Sequence, residues 1–415
     1  MRNSPTWLIL AVLMLLLDFY VFQIIRTLSQ STGARTRSIL YIGYWTVSVL
    51  ALIVLFVLPY LNLESSRSVR STIFAIIIGL FLAKLFAAVF FLIDDLRRGI
   101  QWLAGKTFFR NTEGEQIQGE EKIGRSAFLS WLGLAAGTTL FGSLLYGFSN
   151  KYDYRVKKLS LRFNNLPEAF KGLKIVQISD VHSGSFTDKE AVDRGIQKIL
   201  DLQPDLILFT GDLVNNEARE MTPYMDVFGR LRAGMGVYSV LGNHDYGDYV
   251  EWGSAEEKRR NLEQLKQVHA SMGWRLLMNE HVVFEREGQR IALLGIENWS
   301  AKARFPKYGD LARAHAGTEA LPFKILMSHD PSHWDAQVRT EYNDIDLMLS
   351  GHTHGMQFGV ELPWLKWSPV QYVYRQWAGL YQQGSQKLYV NRGFGFIGYP
   401  GRVGILPEIT LIELA

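Results

Sequence analysis

Cysteine is absent from this chain of 415 residues. That excludes disulfides, thiolate metal ligands and a cysteine nucleophile, and it leaves the redox state of the compartment open. Histidine is missing from the first 181 residues, all nine lying at or beyond His182. Acidic residues are scarce early on: residues 1–148 carry 13 Lys and Arg against 8 Asp and Glu, and the remainder 31 against 32. The net charge of +4 therefore belongs to the first third. The near-neutral remainder lacks the basic footprint of a nucleic-acid binder, which argues against DNA or RNA as partner.

Long apolar runs are plentiful in that first third. Four begin at Trp7, Ile39, Thr72 and Ala127. Each has about 20 residues, the length that crosses a hydrocarbon core as a helix. Asp18 and Lys84 fall inside them and could pair across a bundle. Basic residues in short loops set orientation. Arg26, Arg35 and Arg37 follow the first run, and Arg97, Arg98, Lys106, Arg110, Lys122 and Arg125 follow the third. Only Arg2, Arg67 and Arg70 lie on the other side. This count puts the first and third loops in the cytoplasm and the C-terminal part outside it. Lys151, Arg155, Lys157 and Lys158 pull the other way. "GRSAFLSWLGLAAG", from Gly124, resembles a twin-arginine export signal with one arginine lost.

The pattern changes near residue 151, so the expected division is a membrane domain at 1–150 and a second domain at 151–415. "LKIVQIS", "PDLILFT", "GMGVYSVLG", "FKILMS" and "DIDLMLS" read as buried strands, with a helix over "DKEAVDRGIQKILDLQ" and another over 255–272. "HVVFEREGQRIALLGIEN" reads as a hairpin turning at Glu287-Gly288. Strands alternating with helices predict an α/β layered domain with mixed sheets.

Polar residues cluster just after the strands. Asp180, Asp212, Asn243, His329 and His352 each follow an apolar run within a few residues. The C-terminal edge of such sheets is where ligands gather. Asp, Asn and His without Cys suit divalent metals such as Mn, Fe or Zn, and the set is large enough for two. Two metals about 3.5–4 Å apart can clamp both oxygens of an in-line displacement at phosphorus. The His352-Thr353-His354 triplet can then send one imidazole to each metal.

"DVHSG", "GDLVN", "GNHD", "SHD" and "GHTHG" resemble, in order and spacing, the motifs of the calcineurin-like metallophosphoesterase family, over about 170–415. With the apolar runs ahead of it, the chain looks like the subgroup of transmembrane proteins with a metallophosphoesterase domain. It is also similar to bacterial membrane-attached phosphodiesterases and UDP-diacylglucosamine pyrophosphatases. The resemblance implies a four-layer α-β-β-α sandwich behind a four-helix membrane region. It implies one divalent metal on Asp180, His182, Asp212 and His354, and a second on Asp212, Asn243, His329 and His352. His244 would stabilise the transferring phosphoryl group or protonate the leaving oxygen, with Asp245 orienting it. The implied activity is hydrolysis of a phosphomonoester, phosphodiester or pyrophosphate on a small-molecule or lipid-linked substrate. A cytoplasm-facing lipid-nucleotide pyrophosphatase and a non-catalytic scaffold are the rivals.

Two positions depart from the family pattern. Asn215 stands where many relatives have an aspartate that pairs with the catalytic histidine, and Met356 where glycine is usual. Arg392 and Arg402, in glycine-rich loops, could fork onto a phosphate or be structural, and His333 could touch substrate or cap and pack locally. His269, His281 and His315 lack a metal-like context. The aromatic run over 361–381 is either core or a lipid-facing border.

Overall fold

The computed structural model describes residues 5–58, 67–108 and 126–415. They form two compact units, Met1–Tyr146 and Gly147–Ala415.

The first unit holds helices α1 (Pro5–Leu28), α2 (Ala34–Val57), α3 (Arg67–Phe108) and α4 (Ala127–Gly147). All four are long and apolar enough to cross a membrane. Leu13, Ile42, Leu92 and Phe128 point outward and are exposed, an arrangement suited to lipid rather than water. Asp18 and Lys84 do pair, at 2.5 Å. Lys84 also donates to Ser48 Oγ (2.9 Å), which donates to Asp18 Oδ1 (3.0 Å). The pair thus ties α1, α2 and α3 together and answers the cost of burying either charge alone. The third run is longer than its apolar part suggested. Its helix continues past Ile93, so Arg97, Arg98 and Lys106 lie on a helix and not in a loop. Asp94 pairs with Arg97 at 2.9 Å and with Arg98 at 3.8 Å, one turn on, which carries the helix through its charged stretch. Arg2, Arg110, Lys122 and Arg125 of the charge count, and the start of the export-like stretch at Gly124, lie outside the described residues.

The second unit is built on two six-stranded sheets. The first runs β1 (Arg155–Leu161), β14 (Glu408–Leu414), β2 (Lys174–Ile178), β3 (Leu206–Phe209), β4 (Val237–Ser239), β5 (Arg275–Leu276). The second runs β12 (Gly379–Gln383), β13 (Gln386–Val390), β9 (Leu347–Ser350), β8 (Lys324–Met327), β7 (Gln289–Gly295), β6 (Glu280–Arg286). A short hairpin, β10 (Val360–Leu362) and β11 (Leu365–Trp367), stands apart. Pairing is parallel from β2 to β5 and from β7 through β8 and β9 to β13. In β2, residues alternate between faces. Ile175 packs inward with Leu293, Ile325 and Leu349 of the other sheet. Val176 packs outward with Val192 and Ile196 of α5 (Lys189–Asp201). On the far side, Leu294, Leu326 and Met348 pack with Trp334 and with Leu311 of a short helix, Leu311–His315. The outcome is the expected four-layer α-β-β-α sandwich, and burial of both faces explains the unbroken apolar runs of its strands.

Local signals set the elements. Asp188 caps α5 by accepting from Ala191 N–H at 2.8 Å, and apolar Val192, Ile196 and Ile199 share its inner face. The β6–β7 hairpin turns at Glu287 (φ 50°) and Gly288 (φ 73°), the left-handed pair that two-residue hairpins favour. The C-terminal ends of β2, β3, β4, β8 and β9 meet at one rim. There Gln177 Nε2 donates across the sheets to the Ser350 carbonyl at 2.9 Å.

Candidate metal centre

Two groups of ligand-type side chains occupy this rim. One ligand atom each from Asp180, His182 and His354 lies within 4.8 Å of the others, and the same holds for Asp212, His329 and His352. His182 Nε2 faces His354 Nε2 at 3.0 Å, and His352 Nδ1 faces His329 Nε2 at 3.3 Å. Asp212 Oδ2 lies between the groups, 3.1 Å from His329 Nε2 and 3.6 Å from His182 Nε2. Asn243 turns its amide nitrogen to Tyr249 Oη (2.8 Å), leaving a buried Oδ1 with no hydrogen-bond partner. An orphaned buried oxygen and imidazole nitrogens aimed at one another are what a cation site requires. The residues therefore fit divalent metal.

The rings are held from behind. His329 Nδ1–H donates to the Thr210 carbonyl at 2.7 Å. His352 Nε2–H donates to Tyr374 Oη at 2.8 Å, and that hydroxyl donates to Asp330 at 3.2 Å. Each ring is thereby fixed in the tautomer that presents its other nitrogen. Burial opposes ionisation of Asp212, yet the neighbouring His329 and His244 hold its pKa well below the usual carboxylate range. Burial opposes a charge on His329 too, and Asp212 overrides it, raising the imidazole to about 10. Burial depresses His182, His352 and His354. Neutral His182, His352 and His354 beside ionised carboxylates make an electron-rich pocket, and a divalent cation there would displace the proton that Asp212 holds on His329.

Backbone strain gathers here as well. Ten described non-glycine residues have positive φ, and five of them are Asp180, His182, Asp212, His352 and His354. Such conformations cost energy and cluster at functional sites. Close approach matters equally. A Cβ on Gly351 would sit 2.1 Å from Asp180 Oδ2, and one on Gly242 would sit 2.2 Å from Asp212 Oδ1.

His244 stands at the edge, half-buried, its ring 4.9 Å from that of His182. Its Nδ1–H donates to the backbone carbonyl of Asn215 at 2.8 Å, which leaves Nε2 free. Asp245 does not orient this ring, contrary to expectation. Its buried carboxylate accepts backbone N–H groups of Asp212 (2.9 Å), Leu213 (2.8 Å), Val214 (3.3 Å) and Gly242 (2.8 Å). It clamps the loops after β3 and β4 together. The side chain of Asn215 turns away as well, to Ser185 at 3.1 Å.

At three further positions the structural alternative holds and the substrate contact does not. Arg392 is buried in ion pairs with Glu408 and Glu361. Arg402 is fully buried and donates to the carbonyls of His354, Arg392, Gly393 and Gly395. Neither guanidinium is free for a phosphate. His333 is buried between Ser328 (3.0 Å) and Gln337 (2.8 Å). His269 packs against Phe209 and Trp274, His281 holds the Ala314 carbonyl, and His315 meets Asp344 at the surface. The aromatic run divides: Tyr374 and Trp377 are core, whereas Trp364 and Tyr372 are 79% and 77% exposed. Tyr374, in the aromatic run that follows the His352–His354 loop, borders the site, whereas Asp330 and Tyr249, which also support it, were missed from sequence because only the tertiary fold brings them to it.

The comparisons with known proteins agree with this geometry. A family profile described as calcineurin-like phosphoesterase matches residues 173–356. One described as a probable calcineurin-like phosphoesterase, transmembrane domain, matches residues 1–151. The metallophosphoesterase YkuE of Bacillus subtilis is 31% identical over 306 residues, 71% of this chain and 98% of that protein. The "Transmembrane protein with metallophosphoesterase domain" of Danio rerio is 31% identical over 63% of this chain, which spans 57% of that protein's length. "Phosphodiesterase YaeI" of Escherichia coli is 29% identical over 58% of this chain and 82% of its own length. The chain belongs to the calcineurin-like phosphoesterase family. It is a metal-dependent phosphoric ester hydrolase and a membrane protein.

Proposed function

We propose that the chain is a multi-pass membrane phosphoesterase with two divalent ions, Mn, Fe or Zn, hydrolysing a phosphomonoester, phosphodiester or pyrophosphate carried by a small or lipid-linked substrate. The membrane domain is 1–150 and the catalytic domain 151–415, the latter on the extracytoplasmic side. Asp180, His182, Asp212 and His354 hold one ion, and Asp212, Asn243, His329 and His352 the other. The observation that carries this reading is Asp212 Oδ2 standing between two histidine groups. A bridging carboxylate has this position. When bound, the ions supply Lewis acidity and an activated water for attack at phosphorus. His244, fixed through Nδ1, presents Nε2 to a phosphoryl oxygen or to the departing group. Its contribution as general acid is about 10²–10⁴-fold. Asp245 serves by holding the ligand loops. Exposed Trp364 and Tyr372 favour a lipid-linked substrate, since such rings rest at headgroup level.

The test is metal content and hydrolysis by the full-length protein. Nitrophenyl phosphate, its bis-ester and a lipid pyrophosphate are the substrates, with Asp212→Ala as control. Near two ions per chain and turnover, both lost in the variant, would support the reading. A folded wild-type protein that binds no metal and turns nothing over would leave the scaffold.

A further inference from the structure

Three cations flank the metal centre without carboxylate partners. They lie in the loop between β7 and the helix Leu311–His315, at Lys302, Arg304 and Lys307. Among the described residues, no carboxylate oxygen lies within the 4.0 Å of an ion pair from any of the three. Each instead sits over an aromatic face. The Arg304 guanidinium is 4.5 Å from the Phe305 ring centre, Lys302 Nζ 5.3 Å from Tyr374, and Lys307 Nζ 4.6 Å from Trp299. Cation–π contacts orient a charge and leave its N–H donors available. Two of these rings are supports of the site itself. Phe305 is buried edge-on against His352 at 4.8 Å, and Tyr374 accepts the His352 Nε2–H.

The loop is anchored. Asn298 Nδ2 donates to the Pro306 carbonyl (3.0 Å), Tyr308 N–H to the Asn298 carbonyl (2.8 Å), and Ala301 N–H to Ser332 Oγ (2.9 Å). Like charges gathered on a fixed loop repel one another, a cost that an anion relieves. The metal ligands cannot supply that anion, because Asp180 and Asp212 are buried among the histidines. Arg392 and Arg402 cannot compete for it, because both are buried and their Nη donors are already taken.

We propose that Arg304, with Lys302 and Lys307, forms an anion subsite beside the His329–His352 half of the centre, and that it binds a second phosphate of the substrate while the first is held at the metals. This rests on the phosphoesterase reading and narrows it to pyrophosphates and to esters that carry a further phosphate near the scissile one. Arg304 is the principal residue, since its planar fork matches two phosphate oxygens.

The test is calorimetric binding of non-hydrolysable probes to the full-length, Mn-loaded protein. The probes are propylphosphonate and straight-chain diphosphonates with one-, two- and three-carbon spacers, with metal content measured alongside. In the wild type, at least one diphosphonate should bind more tightly than the monophosphonate. Arg304→Ala should weaken that diphosphonate roughly tenfold to a hundredfold, with Mn content and monophosphonate binding unchanged. Arg304→Lys should recover part of the loss and Lys307→Ala should show a smaller one. No diphosphonate advantage in the wild type, or equal loss for both probe types in Arg304→Ala, would overturn the subsite. A wild type that holds no Mn would instead remove the metal centre, and the subsite with it.

Discussion

At position 215 the side chain is not what orients the neighbouring imidazole, since Asn215 Nδ2 turns to Ser185 Oγ at 3.1 Å. The contact that orients His244 is made by the backbone carbonyl of Asn215, at 2.8 Å, and every residue type carries that carbonyl. Asn215→Ala should therefore leave kcat within about threefold of wild type, whereas His244→Ala should lower it by about 10²–10⁴. Steady-state kinetics on the preferred ester separates the two, and an equal collapse in both would return the orienting role to the side chain. A second residue-scale expectation concerns acid. His269 is fully buried, neither ring nitrogen has a hydrogen-bond partner, and burial lowers its pKa to about 3. The unfolded chain takes up this proton near pH 6.5 and the folded chain does not. Its contribution to stability is thus complete above pH 6.5 and falls by about 1.4 kcal/mol for each pH unit from there toward pH 3. His269→Leu should flatten the fall of the thermal midpoint between pH 6.5 and 4, and an unchanged slope would contradict this. His333, lowered by burial to about 4, adds a second proton to the same window.

The strand ends explain why so much of the site could be read from sequence. Asp180, Asp212, Asn243, His329 and His352 follow runs that are apolar because both strand faces are buried. A polar residue ending such a run has to emerge at the sheet edge, so the pattern gives position as well as chemistry. The hairpin at Glu287-Gly288 was legible for a related reason, its turn being set locally by φ. What stayed hidden depends on tertiary partners. Arg392 and Arg402 look like phosphate ligands in their glycine-rich loops until Glu408, Glu361 and four carbonyls enclose them. Asp245 looks like the partner of its neighbour His244 until the backbone of 212–214 reaches it first. The length of α3 was misjudged because apolarity marks the lipid-spanning part alone, while Asp94 pairing with Arg97 and Arg98 extends the helix. The loop after β9 tests the strain argument. Gly351 leaves room for the carboxylate of Asp180, which also accepts the His352 N–H at 3.0 Å. Gly351→Ala should lower metal content sharply with the far-ultraviolet circular dichroism retained. Full occupancy in the variant would mean that this close approach is not required.

For the whole molecule, the distribution of charge predicts which side of the membrane the rim faces. Arg26, Arg35 and Arg37 bracket the turn between α1 and α2, while Arg97, Arg98 and Lys106 lie toward the C-terminal end of α3. Carrying such clusters across a bilayer is opposed, so both are expected in the cytoplasm. Four spans then bring Gly147 out on the opposite side. The contrary signal is Lys151, Arg155, Lys157 and Lys158. These residues belong to the folded unit and its first strand, β1, and long domains translocate largely regardless of their charge. An enzymatic reporter that works only outside the cytoplasm, fused after Ala415, should therefore be active. Reversing the bias with Arg26→Glu, Arg35→Glu and Arg37→Glu should reduce that activity. An inactive wild-type fusion, with a cytoplasmic reporter active at the same point, would place the site inside and favour the cytoplasm-facing pyrophosphatase. The two outcomes separate substrates as well as sides, because a tethered rim reaches only the phosphates on its own side of the bilayer.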